Sequence, residues 1–254
     1  MRTRRIITMS LGLALLGLAS IPARSRADRV HPIRVLFVGN SYTRFNDLPR
    51  MVRHISESVP GAAPVWSSAI TEPGYDLRRH WERQRARRRI EEGSFDAVVL
   101  QANSLSPLEA PDELRTYATR FAEHARAHGA RVVLFETWAR RDDHLWYRRE
   151  NGVDDPEEML TRIDTFYTDL AARLSAPLAP VGRAWARAHH DLPDTSLHRR
   201  DGTHPSVAGS YLSACVVYAT LTGRDPRGAT FRPHPLRREI AERIRELAAA
   251  AVAR

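Results

Sequence analysis

Two rhythms of apolar residues alternate along the chain. Short, nearly continuous apolar runs occur at residues 33–38, 64–70, 95–100, 131–136 and 178–181. Such runs, rich in Val, Leu, Ile and Phe, predict strands buried on both faces, as in a parallel sheet. Between them the apolar positions recur with a helical period. Residues 48–59 carry theirs at 48, 51, 52, 55 and 59, one stripe of a 3.6-residue helix. Further helices are predicted over 77–90, 112–128, 155–174, 206–222 and 235–253. Gly129 follows the helix at 112–128 and Pro156 opens the one at 155–174, the ends that each residue favours. Strands and helices alternate about five times. That pattern predicts an α/β fold: three layers, doubly wound, about five parallel strands with helices on both faces. Two connections, 137–155 and 186–205, are long enough to expect functional residues in them.

The first 27 residues do not fit this scheme. Arg2, Arg4 and Arg5 form a basic start, residues 6–21 carry no charge, and Ser25-Arg26-Ala27 places small residues where a signal peptidase reads. This predicts a secretory signal peptide, cleaved after Ala27, with residues 28–254 as a single domain. The uncharged run of 16 residues is short of the ~20 that a spanning helix needs. No later stretch is apolar enough to span. The expected location is therefore outside the cytoplasm, secreted or periplasmic, with no integral membrane segment after cleavage.

Composition narrows the chemistry. The chain has 254 residues, 43% hydrophobic and 27% charged, enough for a full core. Its formal charge is +9, but removing the five leader arginines leaves +4. That balance gives no electrostatic case for nucleic acid. All the basic residues are arginine, which excludes a lysine nucleophile or Schiff base. The lone cysteine, Cys215, excludes an intramolecular disulfide framework. It lies among Leu212, Val216 and Val217 and is expected to be buried and inert. His124 and His128 have metal-ligand spacing, but no zincin glutamate and no third ligand accompany them. They read as a solvated helix face, as do the seven arginines of residues 78–89. No metal is expected. There is neither a dinucleotide fingerprint nor a phosphate-binding loop, so no cofactor is expected either.

The candidate chemistry lies at strand ends, where open α/β sheets bind ligands. Gly39-Asn40-Ser41-Tyr42-Thr43 follows the first strand, Gly74 the second, and Gln101-Ala102-Asn103-Ser104 the third. Asp201-Gly202-Thr203-His204-Pro205 precedes a helix. Asp201 and His204, three apart on a turn, suit a carboxylate orienting an imidazole. Ser41 completes a nucleophile, base and orienter set. The elbow of α/β-hydrolases needs glycine two residues after the serine; Thr43 stands there, so that pattern fails. Trp138, Trp146 and Tyr147, in the 137–155 loop, are candidates to contact a sugar ring or an acyl chain.

These blocks, in this order over most of residues 33–225, resemble those of the SGNH, or GDSL-type, serine hydrolases. Gly39-Asn40-Ser41 is similar to the family's Gly-Asp-Ser block, with Asn40 in place of the usual Asp. Gly74 sits where the second block supplies an N–H. Leu100-Gln101-Ala102-Asn103 is similar to the Leu-Gly-X-Asn block, with Gln101 in place of Gly. Asp201-Gly202-Thr203-His204 resembles the Asp-X-X-His block and is the most specific match. The resemblance implies a flavodoxin-like SGNH fold, with Ser41, Asp201 and His204 catalytic. It implies an oxyanion hole from Ser41, Gly74 and Asn103. Asn40, Gln101 and Trp138 are the expected substrate-binding residues.

The expected function is hydrolysis of carboxylic esters, short acyl (acetyl) esters of a carbohydrate or similar small substrate, through an acyl-enzyme. An acyltransferase on the same scaffold shares that intermediate, and a non-catalytic carbohydrate-binding member shares the fold. Both stay open at this stage.

Overall fold

The structure, a computed structural model, describes residues 31–149 and 152–253. The leader and its cleavage site lie outside the described residues. In chain order the elements begin with β1 (Ile33–Gly39), α1 (Ser41–Arg44), α2 (Leu48–Ser58), β2 (Val65–Thr71), α3 (Leu77–Glu82), α4 (Arg85–Glu92) and β3 (Ala97–Leu100). They continue with α5 (Ser106–Glu109), α6 (Pro111–Ala127), β4 (Arg131–Phe135), α7 (Pro156–Leu174), β5 (Leu178–Ala179), α8 (Val181–Asp191), α9 (Val207–Thr222) and α10 (Arg238–Val252).

The five strands form one sheet in the order β2-β1-β3-β4-β5, every pairing parallel. Alternation along each strand sorts its side chains onto two faces. Val35, Phe37, Val99, Val133 and Phe135 pack with α2, α8, α9 and α10 on one side. Leu36, Val38, Val98, Leu100, Val132 and Leu134 pack with α3, α4, α6 and α7 on the other. Each such side chain taken fully out of water contributes about 1.5–3 kcal/mol, so both layers of helices are held by the strands between them. The α9 helix is apolar all round and buries Leu212, Cys215, Val216 and Tyr218. Cys215 is fully buried, and burial pushes its thiol up to about 12.

The predicted helix at 77–90 is two helices. Gln84 turns left-handed at φ 59° between α3 and α4. On one continuous helix Ala86 and Ile90 would project on the side opposite Leu77. The break rotates the second half, so that Leu77, Ala86 and Ile90 all enter the same core. The long loop expected from residue 186 is shorter than its sequence suggested. Strand β5 ends at Ala179, and α8 runs on to Asp191 with Val181, Ala184, Trp185 and Ala188 buried. That stripe has the right period but is half alanine, which weakens its signal.

Strand order places the site. The chain steps to one side from β1 to β2, then crosses back past β1 to β3 and continues that way to β4 and β5. A crevice therefore opens at the carboxyl ends of β1 and β3, the switch point of such a sheet. Ser41 follows β1 there, and Gln101 to Asn103 follow β3.

Candidate active site

Ser41 opens α1 directly beyond β1, and several contacts fix its turn. The Asn40 Oδ1 accepts the Tyr42 N–H at 3.0 Å, and its Nδ2 donates to the Tyr75 carbonyl at 3.0 Å. Gln101 reaches across from β3, its Oε1 accepting from the Asn40 N–H and the Thr43 hydroxyl, each at 2.9 Å. Its Nε2 donates to the Ala102 carbonyl. From below, His80 Nε2 meets the Gly39 carbonyl at 2.8 Å. Burial lowers the His80 pKa, so the ring is neutral and donates this bond. Gly39 has no room for a side chain: a Cβ there would lie 2.5 Å from Thr43 Oγ1 and 2.7 Å from Gln101 Oε1.

The Asp-Gly-Thr-His turn approaches from the other end of the chain. The Asp201 Oδ1 accepts the N–H groups of Thr203 at 3.0 Å and His204 at 2.9 Å. Its Oδ2 meets His204 Nδ1 at 2.8 Å. Partial burial works to raise the Asp201 pKa, but the two N–H groups and the imidazole outweigh it and hold the carboxyl at about 2. An ionised Asp201 keeps the proton of a neutral His204 on Nδ1. The Nε2 lone pair then faces the Ser41 hydroxyl, at 2.9 Å. A hydroxyl, an imidazole and a carboxylate thus form one hydrogen-bonded chain across 163 sequence positions.

A cavity of about 770 Å³ opens on Ser41 and His204, with Phe45, Gly74, Asn103, Leu105, Arg44 and Arg140 among its walls. The Asn103 Oδ1 accepts the Leu105 N–H at 3.0 Å, leaving Nδ2 as the amide's free end. Gly74 is left-handed at φ 72°, a conformation glycine adopts without strain. Among the described residues, neither the Ser41 nor the Gly74 N–H is taken up by a backbone carbonyl. A second cavity of about 790 Å³ lies beyond Arg140, beside His189 and His198. The two are similar in size, but only the first meets the Ser–His pair.

Two of the three expected substrate contacts, Gln101 and Trp138, turn away from the cavity; the third, Asn40, borders it. Gln101 is 1% exposed and spends its amide on the Ser41 turn. Asn40 borders the cavity, but both ends of its amide are committed. Trp138 is 1% exposed, stacked between Tyr42 (centroids 4.4 Å) and Trp185 (4.0 Å). Its neighbours in the loop, Trp146 and Tyr147, are buried too. Turning these rings into the core removes their large apolar area from water.

Sequence reasoning missed the parts that join the two halves. Thr203 is gripped twice: its hydroxyl meets the Tyr42 hydroxyl at 2.5 Å, and its carbonyl accepts the Trp138 indole N–H at 3.1 Å. Asn46 donates to the carbonyls of Pro205 and Ser206 and to the Ser210 hydroxyl. Phe45 lies against the His204 ring at 4.6 Å. An aromatic residue next to the serine was the one available signal. His124, by contrast, contacts Glu91 and the Arg87 carbonyl, and no metal-competent group of three His, Cys, Asp or Glu occurs among the described residues. Nor is any helix among them long and apolar enough to cross a membrane.

Solved structures carry the same architecture. A protein from Slackia heliotrinireducens assigned as an SGNH hydrolase is 26% identical, with a TM-score of 0.66, over 75% of this chain and 100% of its own. The chain has the fold of the SGNH hydrolases. A DUF4886 family protein from Bacteroides uniformis is 18% identical with a TM-score of 0.71, over 87% of this chain and 95% of its own. The acetylxylan esterase Axe2 of Geobacillus stearothermophilus is 13% identical with a TM-score of 0.58, over 76% and 95%. At these identities the last two speak for the SGNH fold alone. No family model and no curated protein matches the sequence.

Proposed function

We propose that this protein is an exported serine esterase that removes short acyl groups from a carbohydrate or a similar small alcohol. The observation that carries the reading is the Ser41–His204–Asp201 chain, with bonds of 2.9 and 2.8 Å, opening on a cavity. Ser41 Oγ attacks the ester carbonyl while His204 Nε2 takes its proton. Asp201 holds the ring and stabilises the imidazolium. The oxyanion is met by the N–H groups of Ser41 and Gly74 and by the Asn103 amide. Removing one such donor costs roughly 10²–10³ in rate. The tetrahedral intermediate collapses, and His204 returns the proton to the departing alcohol. Water, deprotonated by His204, then releases the acyl group.

Acetylxylan esterases among the solved structures of this fold favour a carbohydrate ester. The N-terminal leader pattern favours export, and the exported chain is expected to begin at Asp28 by N-terminal sequencing. For the chemistry, a fluorophosphonate probe is expected to label Ser41, and p-nitrophenyl acetate to be hydrolysed. Ser41→Ala removes both, with turnover down by at least about 10⁴-fold. Full turnover by that variant would end the reading.

A further inference from the structure

We propose that the ester this site takes carries a negative charge, read by Arg44 and Arg140. This rests on the esterase reading above and names the class of its substrate. Both arginines border the cavity that holds Ser41 and His204, and no carboxylate among the described residues does.

Neither guanidinium is neutralised. Several surface arginines pair with acids, as Arg53 does with Glu57, Arg85 with Glu72 and Arg141 with Asp143; others do not, and what sets Arg44 and Arg140 apart is their place on the wall of the Ser41 cavity. Among the described residues, Arg44 makes no ion pair or side-chain hydrogen bond. Among the described residues Arg140 makes no ion pair; its guanidinium lies over the Trp146 ring at 5.9 Å, its Nη1 is 2.9 Å from His144 Nε2, and its Nε is buried without a hydrogen bond. The His144 contact does not satisfy it. His144 Nδ1 accepts the Trp146 N–H at 3.0 Å, so a neutral ring carries its proton on Nε2 and turns a donor toward a donor. Burial and the charge of Arg140 both lower the His144 pKa, which keeps that ring neutral. Arg140 is therefore held at the cavity wall short of an acceptor.

A third guanidinium extends the field. Arg199 lies over the Phe45 ring at 5.0 Å, and Phe45 is itself a cavity wall. The one acid of the constellation, Asp201, is committed to His204 and to two backbone N–H groups. A rim of one sign concentrates ligands of the other, and arginine forks match carboxylate, sulfate and phosphate geometry.

The test uses two matched ester pairs, each rate divided by that ester's alkaline hydrolysis rate. The first puts the charge on the alcohol: 4-acetoxybenzoate against neutral 4-acetoxybenzamide. The second puts it on the acyl group: 4-nitrophenyl hydrogen adipate against its methyl ester. The expected result at about 20 mM ionic strength is a kcat/KM at least about tenfold higher for the anion in one pair, which tells on which side of the ester the charge belongs. Salt at about 0.5 M shrinks that ratio, and Arg140→Gln and Arg44→Gln each bring it toward one. Ratios near or below one in both pairs, with the neutral esters turned over, overturn the inference and leave the esterase reading intact. So does an Arg140→Gln variant that slows both members of a pair alike, since that is the mark of an oxyanion donor or a structural prop. If no ester is hydrolysed, the esterase reading falls and the inference with it.

Discussion

The two halves of the catalytic chain are built in opposite ways. The Ser41 turn grows out of the sheet, and Gln101 from β3 and His80 from α3 brace it from separate elements. All three bracing groups, Gln101, His80 and Asn40, are nearly inaccessible to water. The Asp201–His204 turn stands at the surface: the Asp201 side chain is 45% exposed and that of His204 27%. It is folded by Asp201 itself and tied to the body through Thr203, Asn46 and His198. A nucleophile needs a fixed direction, which a buried network supplies. A base must reach both a hydroxyl and a departing alcohol, which a surface turn with a few anchors allows.

That contrast can be broken from either side. The largest effect is expected at the exposed half, on rate alone. Asp201→Asn loses the carboxylate that sets the His204 tautomer, and kcat is expected to fall roughly 10⁴-fold. Its melting temperature should move little, because the side chain is nearly half in water. A large drop in melting temperature would mean that the turn is structural rather than chemical. At the buried half the expectation reverses. Gln101→Leu leaves the Asn40 N–H and the Thr43 hydroxyl without an acceptor, at a cost of about 1–3 kcal/mol each. Denaturant unfolding should register this as a lower midpoint; an unchanged midpoint would remove Gln101 from the bracing network.

The smallest effect concerns the anchor between the halves. His198 is 4% exposed, and its Nε2 contacts the Ala139 carbonyl at 3.0 Å. Burial pushes its pKa down to about 4 from the ordinary 6.5. Between those values the unfolded chain binds the extra proton, so stability falls as pH drops from about 6.5 to about 4 and then levels off. The loss is at most roughly 3 kcal/mol. Glu136 has the opposite sign: burial raises it to about 8, so its contribution shrinks as pH rises from about 4.5. The difference between wild type and His198→Gln in melting temperature against pH isolates the first slope, and a flat difference would contradict it.

Much of this was legible beforehand. Continuous apolar runs and stripes of 3.6-residue period report their own burial, so the five strands and most helices follow from local pattern. The exceptions have local causes. The break at Gln84 reverses the facing of a stripe, and the alanine-rich stripe of α8 carries little apolar signal. The site's short blocks were equally plain, because Asp201 and His204 solve their geometry within four residues.

What the chain alone determined is therefore what neighbours in sequence decide: which segments are buried, where they turn, and which residues carry nucleophilic or titratable groups. Tertiary structure alone decided that Ser41 and His204 come within 2.9 Å, that Trp138 faces inward to hold Thr203, and that Arg44 and Arg140 share a cavity with no acid among its described walls. Those depend on strand order and on which surfaces meet across separations of 65 to 163 residues, and a pattern that records only local burial holds no information about either.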